Sequence, residues 1–151
     1  MKITKLSQKG LELIKSFEGL SLKPYVCAGG INTIGYGNTY YTNGKKVTLQ
    51  DKPITKQQAE ELLKHSLSTY EKAVDSFCRD DISQSNFDAL VSFAYNLGTN
   101  ALQKSTLIKK VNANPKDVTI ADEFLKWNNA HGRVFSGLTK RRQAEANLYF
   151  S

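Results

Sequence analysis

Three side chains near the amino terminus are of types that could carry out acid–base chemistry with water. Glu18 is followed nine residues later by Cys27, and Thr33 follows six residues after that. A carboxyl group can donate a proton, a thiol or thiolate can orient and deprotonate water, and a hydroxyl can hold the same water. The order and spacing therefore predict an acid and two water-handling groups around one cleft.

The carboxyl group lies on a predicted amphipathic helix that begins after Ser7. Leu11, Ile14 and Glu18 recur at three- and four-residue steps, which places them on one helical face. Gly19 is expected to end the helix. Partial burial and the negative end of the helix dipole both disfavour the anion, so we expect a raised pKa for Glu18. The alternative is a glutamate that simply points into water.

A glycine-rich segment follows the helix and breaks its periodicity. Residues 19–54 hold six of the ten glycines. Short strands are predicted around residues 25–26, 32–36 and 40–42, and Asn43-Gly44 is typical of a two-residue hairpin turn. The segment is therefore expected to form a small antiparallel sheet that carries Cys27 and Thr33.

Helices are predicted from residue 55 to the carboxyl end. The caps that mark them are Thr55 with Gln58, Ser83, Gly98, Ser105, and Asn114-Pro115 with Asp117. Trp127 is expected to close the helix that Asn114 begins and to pack against the core. The fold class predicted from this order is α+β.

The last predicted helix has charged residues on its apolar face. Arg141 and Glu145 fall on the same face as Leu138 and Leu148. A charge in this position is costly unless it is paired, so Arg141 needs a carboxylate. The neighbouring basic residues Lys140 and Arg142 have no nucleic-acid-binding motif around them, so we assign them to a solvated helix face.

Composition limits the possible classes of protein. The chain has 151 residues and a formal charge of +7, which is typical of one domain and favours an anionic partner: nucleic acid, a membrane surface or an acidic cell-wall polymer. We see no signal peptide or apolar run of membrane-spanning length, so we expect the chain to fold in a cytoplasm. Cys27 and Cys78 are interpreted as free thiols, with a bridge between them as the alternative.

Six sequence blocks, in order, resemble the phage lysozymes, or endolysins, of glycoside hydrolase family 24, the T4 lysozyme type. These blocks are residues 17–19, 33–39, 87–93, 96–98, 105–107 and 137–142. The family pattern of a glutamate, an aspartate or cysteine, and a threonine matches Glu18, Cys27 and Thr33. The resemblance implies hydrolysis of the β-1,4 bond between N-acetylmuramic acid and N-acetylglucosamine in peptidoglycan.

The resemblance also implies an architecture and further site residues. It implies one lysozyme-like catalytic domain over residues 1–151, with a small β lobe at about 19–54, a larger helical lobe at about 55–151 that includes the first helix, and a cleft between them. Arg141 is implied as the partner of Glu18. The positions implied to contact the sugars are Thr39, Tyr95, Asn96 and Thr106.

Two residues depart from the family pattern. Asn38 stands where the family often has histidine, which replaces any ion pair there with neutral hydrogen bonding and concerns stability. Cys27 stands where many members have aspartate, and an unperturbed thiol is mostly protonated at pH 7. For Cys27 to activate water, its pKa must fall. The alternatives are a small buried filler in a turn for Cys27 and an ordinary strand residue for Thr33.

We expect a single displacement with inversion, in which Glu18 protonates the leaving oxygen while Cys27 and Thr33 position water on the opposite face. No metal or organic cofactor is needed. We expect a monomer that binds peptidoglycan, neither nucleic acid nor the membrane interior, and that leaves the host cytoplasm with the help of a holin-type protein. The alternatives are a lytic transglycosylase, a non-catalytic wall-binding module and, on charge alone, a nucleic-acid-binding protein.

Overall fold

The computed structural model describes residues 2–130 and 132–151, and helices dominate it. Among these residues the helices are α1 (Gln8–Glu18), α2 (Lys56–Phe77), α3 (Gln84–Leu97), α4 (Thr99–Lys104), α5 (Thr106–Ala113), α6 (Ile120–Leu125) and α7 (Ser136–Tyr149). The strands are β1 (Ser21–Val26), β2 (Asn32–Gly35), β3 (Asn129–Ala130) and β4 (Arg133–Val134), paired as two antiparallel hairpins. The predicted α+β class is confirmed.

The chain divides into two compact units. We call Ile14–Thr69 the small unit and Met1–Leu13 with Tyr70–Ser151 the large unit. Helices α1 and α2 each contribute residues to both units. The small unit contains the first hairpin, and the large unit contains most of the helical residues.

The small unit is organised around the antiparallel pair of β1 and β2. Tyr25 pairs with Thr33, and the register shifts between Ser21 and Tyr25. Pro24 lies in this irregular stretch and has no N–H to donate to a ladder. One apolar core cluster of this unit consists of Ile34, Val47 and Leu62, with Tyr41 and Ile54 packed against it.

The strand predicted at residues 40–42 is wrong, although the turn beside it is present. Tyr40 makes only an isolated bridge with Lys46. The turn at Asn43-Gly44 is closed by a hydrogen bond from the Gly44 N–H to the Tyr41 carbonyl, at 3.0 Å. Beyond it, Asp51 accepts hydrogen bonds from the Tyr41 hydroxyl and the Thr48 N–H, so side chains rather than a strand ladder hold this loop.

A buried amide connects the loop after β2 to helix α2. Asn38 is 5% exposed, and its Nδ2 donates to the Leu62 carbonyl at 3.3 Å and to Ser66 Oγ at 2.7 Å. The Asn38 Oδ1 is buried without a hydrogen-bond partner. Asn38 therefore provides the neutral hydrogen bonding that the sequence predicts in place of an ion pair.

Helix α3 lies at the centre of the large unit and packs against α4 and α7. The capping box that begins it pairs Ser83 with Asn86, as the position of Ser83 predicts. The Phe93 ring meets Phe124 at 5.8 Å and Trp127 at 5.5 Å between ring centroids, both edge to face. The predicted packing of Trp127 is thus confirmed.

The start of α1 is fixed by a buried carboxylate on α3. Asp88 is 1% exposed and accepts hydrogen bonds from both the N–H and the hydroxyl of Ser7. A Cβ at position 10 would lie 2.7 Å from Asp88 Cγ, so only glycine fits in this turn of the helix. Ser7 also caps α1 through the Gly10 N–H, as predicted.

Two other predicted N-terminal caps are confirmed, and one predicted helix start is wrong. Thr55 forms its capping box with Gln58, and Ser105 caps α5. The helix predicted to begin at Asn114-Pro115 is wrong, because α6 begins only at Ile120.

Local hydrogen bonds explain the late start of α6. Asn114 accepts from the Lys116 N–H, and Asp117 accepts from the Thr119 N–H, which holds this stretch as turns. Helix α4 and the β3–β4 pair were not predicted, because they are short elements without a clear periodicity.

We predict that Asn38→Ala lowers the free energy of unfolding by about 1–3 kcal/mol, because it removes the donor to the Leu62 carbonyl and the Ser66 hydroxyl. The measurement is urea denaturation followed by circular dichroism. Asn100→Ala, at an exposed position in α4, is the control and should change stability by less than about 0.5 kcal/mol. Equal effects of the two substitutions would contradict the role of Asn38.

Candidate active site

The Glu18 carboxyl group lies at the carboxyl end of α1, beside the main chain that follows β2. Glu18 is the last residue of the helix and is half-buried. The helix ends where the Gly19 N–H donates to the Lys15 carbonyl at 3.3 Å. A Cβ at Gly37 would lie 4.0 Å from Glu18 Oε2, so the carboxyl group is next to the Gly37 main chain.

Cys27 and Thr33 come together at the tip of the β1–β2 hairpin. The turn is closed by a hydrogen bond from the Gly30 N–H to the Cys27 carbonyl at 2.9 Å, and Gly30 adopts a φ of 77° that favours glycine. The Ile31 carbonyl then accepts from the Cys27 N–H at 3.0 Å and from the Thr33 hydroxyl at 2.9 Å. One main-chain oxygen therefore fixes both residues.

The hairpin changes the acidity of the thiol. Hydrogen bonding from the Ile31 main chain, and next from the Thr33 side chain, lowers the pKa of Cys27 below its ordinary value. Both effects favour the thiolate. Burial instead raises the pKa of Cys78 to about 12, with a smaller contribution from the charge of Asp75. Both cysteines are free, as predicted, and only Cys27 has an environment that promotes reactivity.

Arg141 takes part in a buried cluster of charges on α3 and α7. Its Nε lies 3.4 Å from Glu145 Oε2, and its Nη2 donates to the Ser92 carbonyl at 3.3 Å. The Ser92 hydroxyl donates to Glu145 Oε2 as well. The inward position of Arg141 and Glu145 on the last helix is as predicted, and Glu145 is a carboxylate within reach of Arg141.

Arg142 belongs to the same cluster, so its assignment to a solvated face is wrong. Arg142 is fully buried, and its Nε lies 2.7 Å from Glu145 Oε1. Its guanidinium also lies over the Phe93 ring at 5.3 Å. The ion pair and the aromatic face compensate for the loss of water around this charge. The three-residue spacing of Arg142 and Glu145 on one helix was the signal in the sequence.

Burial and charge act in opposite directions on Glu145. Removal from water raises the pKa of Glu145, whereas the charges of Arg142 and Arg141 oppose that rise. Burial likewise lowers the pKa of Arg142, against the attraction of Glu145. Each charge in the cluster is therefore tolerated only because the opposite charge is present.

The buried guanidinium of Arg142 also orients Asn96. Arg142 Nη2 donates to Asn96 Oδ1 at 2.8 Å. Because a guanidinium can only donate, the carbonyl end of the Asn96 amide faces Arg142 and the NH₂ end points away from it. Asn96 thereby presents a hydrogen-bond donor in a fixed orientation.

The remaining predicted site residues are distributed between the units. Thr39 is half-buried in the small unit, and its carbonyl accepts from the Val47 N–H at 3.0 Å. In the large unit, the Tyr95 ring packs edge to face on Tyr70 at 5.2 Å, and Thr106 is exposed as the first residue of α5.

The predicted site residues are therefore found in both units. Glu18, Cys27, Thr33 and Thr39 belong to the small unit. Tyr95, Asn96, Thr106 and Arg141 belong to the large unit. The pairing of Arg141 with Glu18 stays a prediction.

Within residues 2–130 and 132–151, no group of three or more His, Cys, Asp or Glu side chains is arranged to hold a metal ion. In the same part of the chain, no helix has both the length and the apolar character needed to cross a lipid bilayer.

Comparison with known proteins gives consistent matches over nearly the whole chain. The phage lysozyme family model matches residues 15–145. The endolysin of Bacillus phage B103 is 43% identical over 148 residues, which are 97% of this chain and 54% of that protein. The chain thus spans about half the length of the curated Bacillus phage relatives that it matches.

Two solved structures superpose closely on this fold. The endolysin from Escherichia coli O157:H7 phage FAHEc1 superposes with a TM-score of 0.89 at 40% identity, covering 97% of this chain and 94% of that one. A P22 lysozyme mutant superposes with a TM-score of 0.88 at 33% identity, covering 99% and 100%. These matches confirm the predicted lysozyme-like fold.

We predict that Glu145→Ala lowers the free energy of unfolding by about 3–5 kcal/mol, because it leaves the buried Arg142 charge uncompensated. Thermal unfolding followed by circular dichroism is the measurement. Gln143→Ala, at an exposed position on the same helix, is the control and should cost less than about 0.5 kcal/mol. A loss for Glu145→Ala no larger than that of the control would show that the cluster is not held by this ion pair.

Proposed function

Because this chain belongs to the phage lysozyme family, we propose that it is a peptidoglycan-degrading endolysin of glycoside hydrolase family 24, of the T4 lysozyme type. The reaction is hydrolysis of the β-1,4 bond between N-acetylmuramic acid and N-acetylglucosamine, and residues 1–151 form one catalytic domain. The observation that carries the proposal is the hairpin tip, where Ile31 holds Cys27 and Thr33 together.

In this proposal Glu18 is the general acid that protonates the leaving glycosidic oxygen. Glu18 is half-buried as the last residue of α1, and a carboxyl group is a side chain of the type that general acid catalysis requires. The Gly37 main chain beside the carboxyl group adds no side chain that would compete for the space next to it. Arg141 serves as a supporting residue that holds Glu18 in place.

Cys27 and Thr33 bind and activate the attacking water. The lowered pKa of Cys27 supports this role, because a thiolate can accept a proton from water whereas a thiol cannot. Attack by this water on the face opposite to Glu18 gives inversion at the anomeric carbon. The Thr33 hydroxyl oxygen has lone pairs that can accept a hydrogen bond from the same water.

Thr39, Tyr95, Asn96 and Thr106 contact the sugars. The oriented amide of Asn96 supports this assignment, because its NH₂ group can donate to the acetamido carbonyl of an N-acetylated sugar. An amide held by a buried guanidinium loses little orientational freedom when the substrate binds.

We also propose the oligomeric state, the partners and the location of the enzyme. The enzyme works as a monomer without a metal or organic cofactor, binds peptidoglycan rather than nucleic acid, and does not insert stably into the membrane. It accumulates in the host cytoplasm and reaches the wall after a holin-type protein permeabilises the membrane.

Incubation of the purified protein with isolated peptidoglycan tests the proposed reaction. New reducing ends, with inverted configuration of the first product, are expected. An anhydro sugar in place of reducing ends would instead identify a lytic transglycosylase. Binding to the wall without any product would identify a non-catalytic module.

We predict that Glu18→Gln reduces the rate of peptidoglycan hydrolysis by at least ~100-fold, because the substitution keeps the shape of the side chain and removes the proton donor. The release of reducing ends is the measurement, with circular dichroism to verify folding. Glu61→Gln, at an exposed position in the same unit, is the matched control and should keep the parent rate. Retention of more than about a tenth of the parent rate would remove Glu18 from the role of acid.

We predict that alkylation at about pH 8 modifies Cys27 before Cys78 and abolishes activity in parallel, because only Cys27 has a lowered pKa. Mass mapping of modified peptides, together with the activity assay, measures both processes. Cys27→Ala should be folded and nearly inactive, whereas Cys27→Asp should keep substantial activity because a carboxylate can accept the same proton.

Cys78→Ala is the control for this cysteine experiment, and it should remain active and lose activity on alkylation as the parent does. If Cys27→Ala hydrolyses peptidoglycan at close to the parent rate, the thiol has no part in activating water.

A further inference from the structure

A cavity of about 380 Å³ adjoins the hairpin tip within the small unit. Its volume falls in the range of ~300–1,000 Å³ typical of small-ligand sites. The side chains around it are those of Ile31, Asn32, Thr39, Tyr40, Lys46 and Val47. Among them, Thr39 is proposed to contact the sugars, and Val47 also packs in the apolar core of the small unit.

Ile31 connects this cavity directly to the water-handling residues. Its carbonyl accepts the hydrogen bonds from Cys27 and Thr33, while its side chain forms part of the cavity wall. A ligand in the cavity would therefore lie one residue away from the groups that we assign to water activation.

The lining combines one positive charge with apolar and neutral polar groups. Lys46 is exposed and is the charged member of the lining, which contains no carboxylate. Tyr40 and Ile31 are large side chains that nevertheless remain 50% and 55% exposed. Asn32 and Thr39 add an amide and a hydroxyl. This combination suits a ligand with a carboxylate, small apolar groups and peptide bonds.

We infer that this cavity binds the stem peptide of peptidoglycan, an acidic peptide attached to the muramic acid next to the cleaved bond. The inference rests on the proposed function, because it concerns the substrate of that site. A neutral N-acetylglucosamine ring carries no charge that could attract Lys46, whereas the peptide carries free carboxylates. The methyl side chains of its alanines match the apolar wall formed by Ile31 and Val47.

Titration of the ¹⁵N-labelled protein with a soluble stem-peptide fragment, followed by NMR, tests the inference. The peptide should shift the amide resonances of residues 31, 32 and 46, which we call the cavity resonances. An N-acetylglucosamine disaccharide should instead shift the resonance of Thr39 and leave these three unchanged. Lys46→Glu should raise the Kd of the peptide about three- to tenfold, as expected for replacing an exposed attraction by repulsion. Lys46→Gln should give a smaller rise in the same direction.

Lys45→Glu is the matched control, because Lys45 is an exposed neighbour that does not line the cavity. It changes the net charge equally and should alter the Kd less than twofold. The NMR spectra also show whether each variant is folded. The inference is overturned if the disaccharide and not the peptide shifts the cavity resonances, if neither does, or if both lysine variants weaken peptide binding equally.

The reducing-end assay on the same preparation separates this inference from the proposed function. An active enzyme whose cavity does not respond to the peptide overturns only the inference. A protein that releases no product from peptidoglycan overturns the proposed function.

Discussion

The hydrogen bonds that converge on the main-chain oxygen of Ile31 are the constraint on which the candidate site depends. They fix the Cys27 backbone and the Thr33 hydroxyl at the same point. The turn between them must be tight, which Gly30 permits through its positive φ. Without this turn, Cys27 and Thr33 would not lie close together in space. The Cys27 thiol would then lose the hydrogen bonds that lower its pKa.

A second constraint is electrostatic and lies in the large unit. Glu145 and Arg142 are both fully buried, and replacing such a cluster by apolar residues is often neutral or favourable for stability. A cluster of this kind therefore needs a reason other than stability. The hydrogen bond from Arg142 to Asn96 supplies one, because it transmits the rigid position of a buried charge to an amide that we assign to the substrate.

Local features of the fold could be predicted from the sequence, and features set by distant segments could not. The caps at Ser83 and Ser105 involve residues only three positions apart, so their patterns are visible in the sequence. Cys27 and Thr33 belong to one hairpin, so their proximity could also be predicted from the sequence. Their roles in the reaction stay predictions. Arg142 was misassigned because its burial depends on packing between α7 and α3. The cavity beside the hairpin tip was missed because Lys46 lines it from a separate loop.

The main chain and the side chain of Ile31 differ in what they contribute, and this difference affects which substitutions the protein can tolerate. Its main chain holds the chemistry in place, and any residue with a carbonyl group can do the same. Ile31 is 55% exposed and lines the cavity, and we assign no catalytic role to its side chain. Substitution at this position can therefore change the lining of the cavity while the main-chain oxygen continues to accept both hydrogen bonds. The surface beside the hairpin tip and the geometry of the tip can thus vary independently.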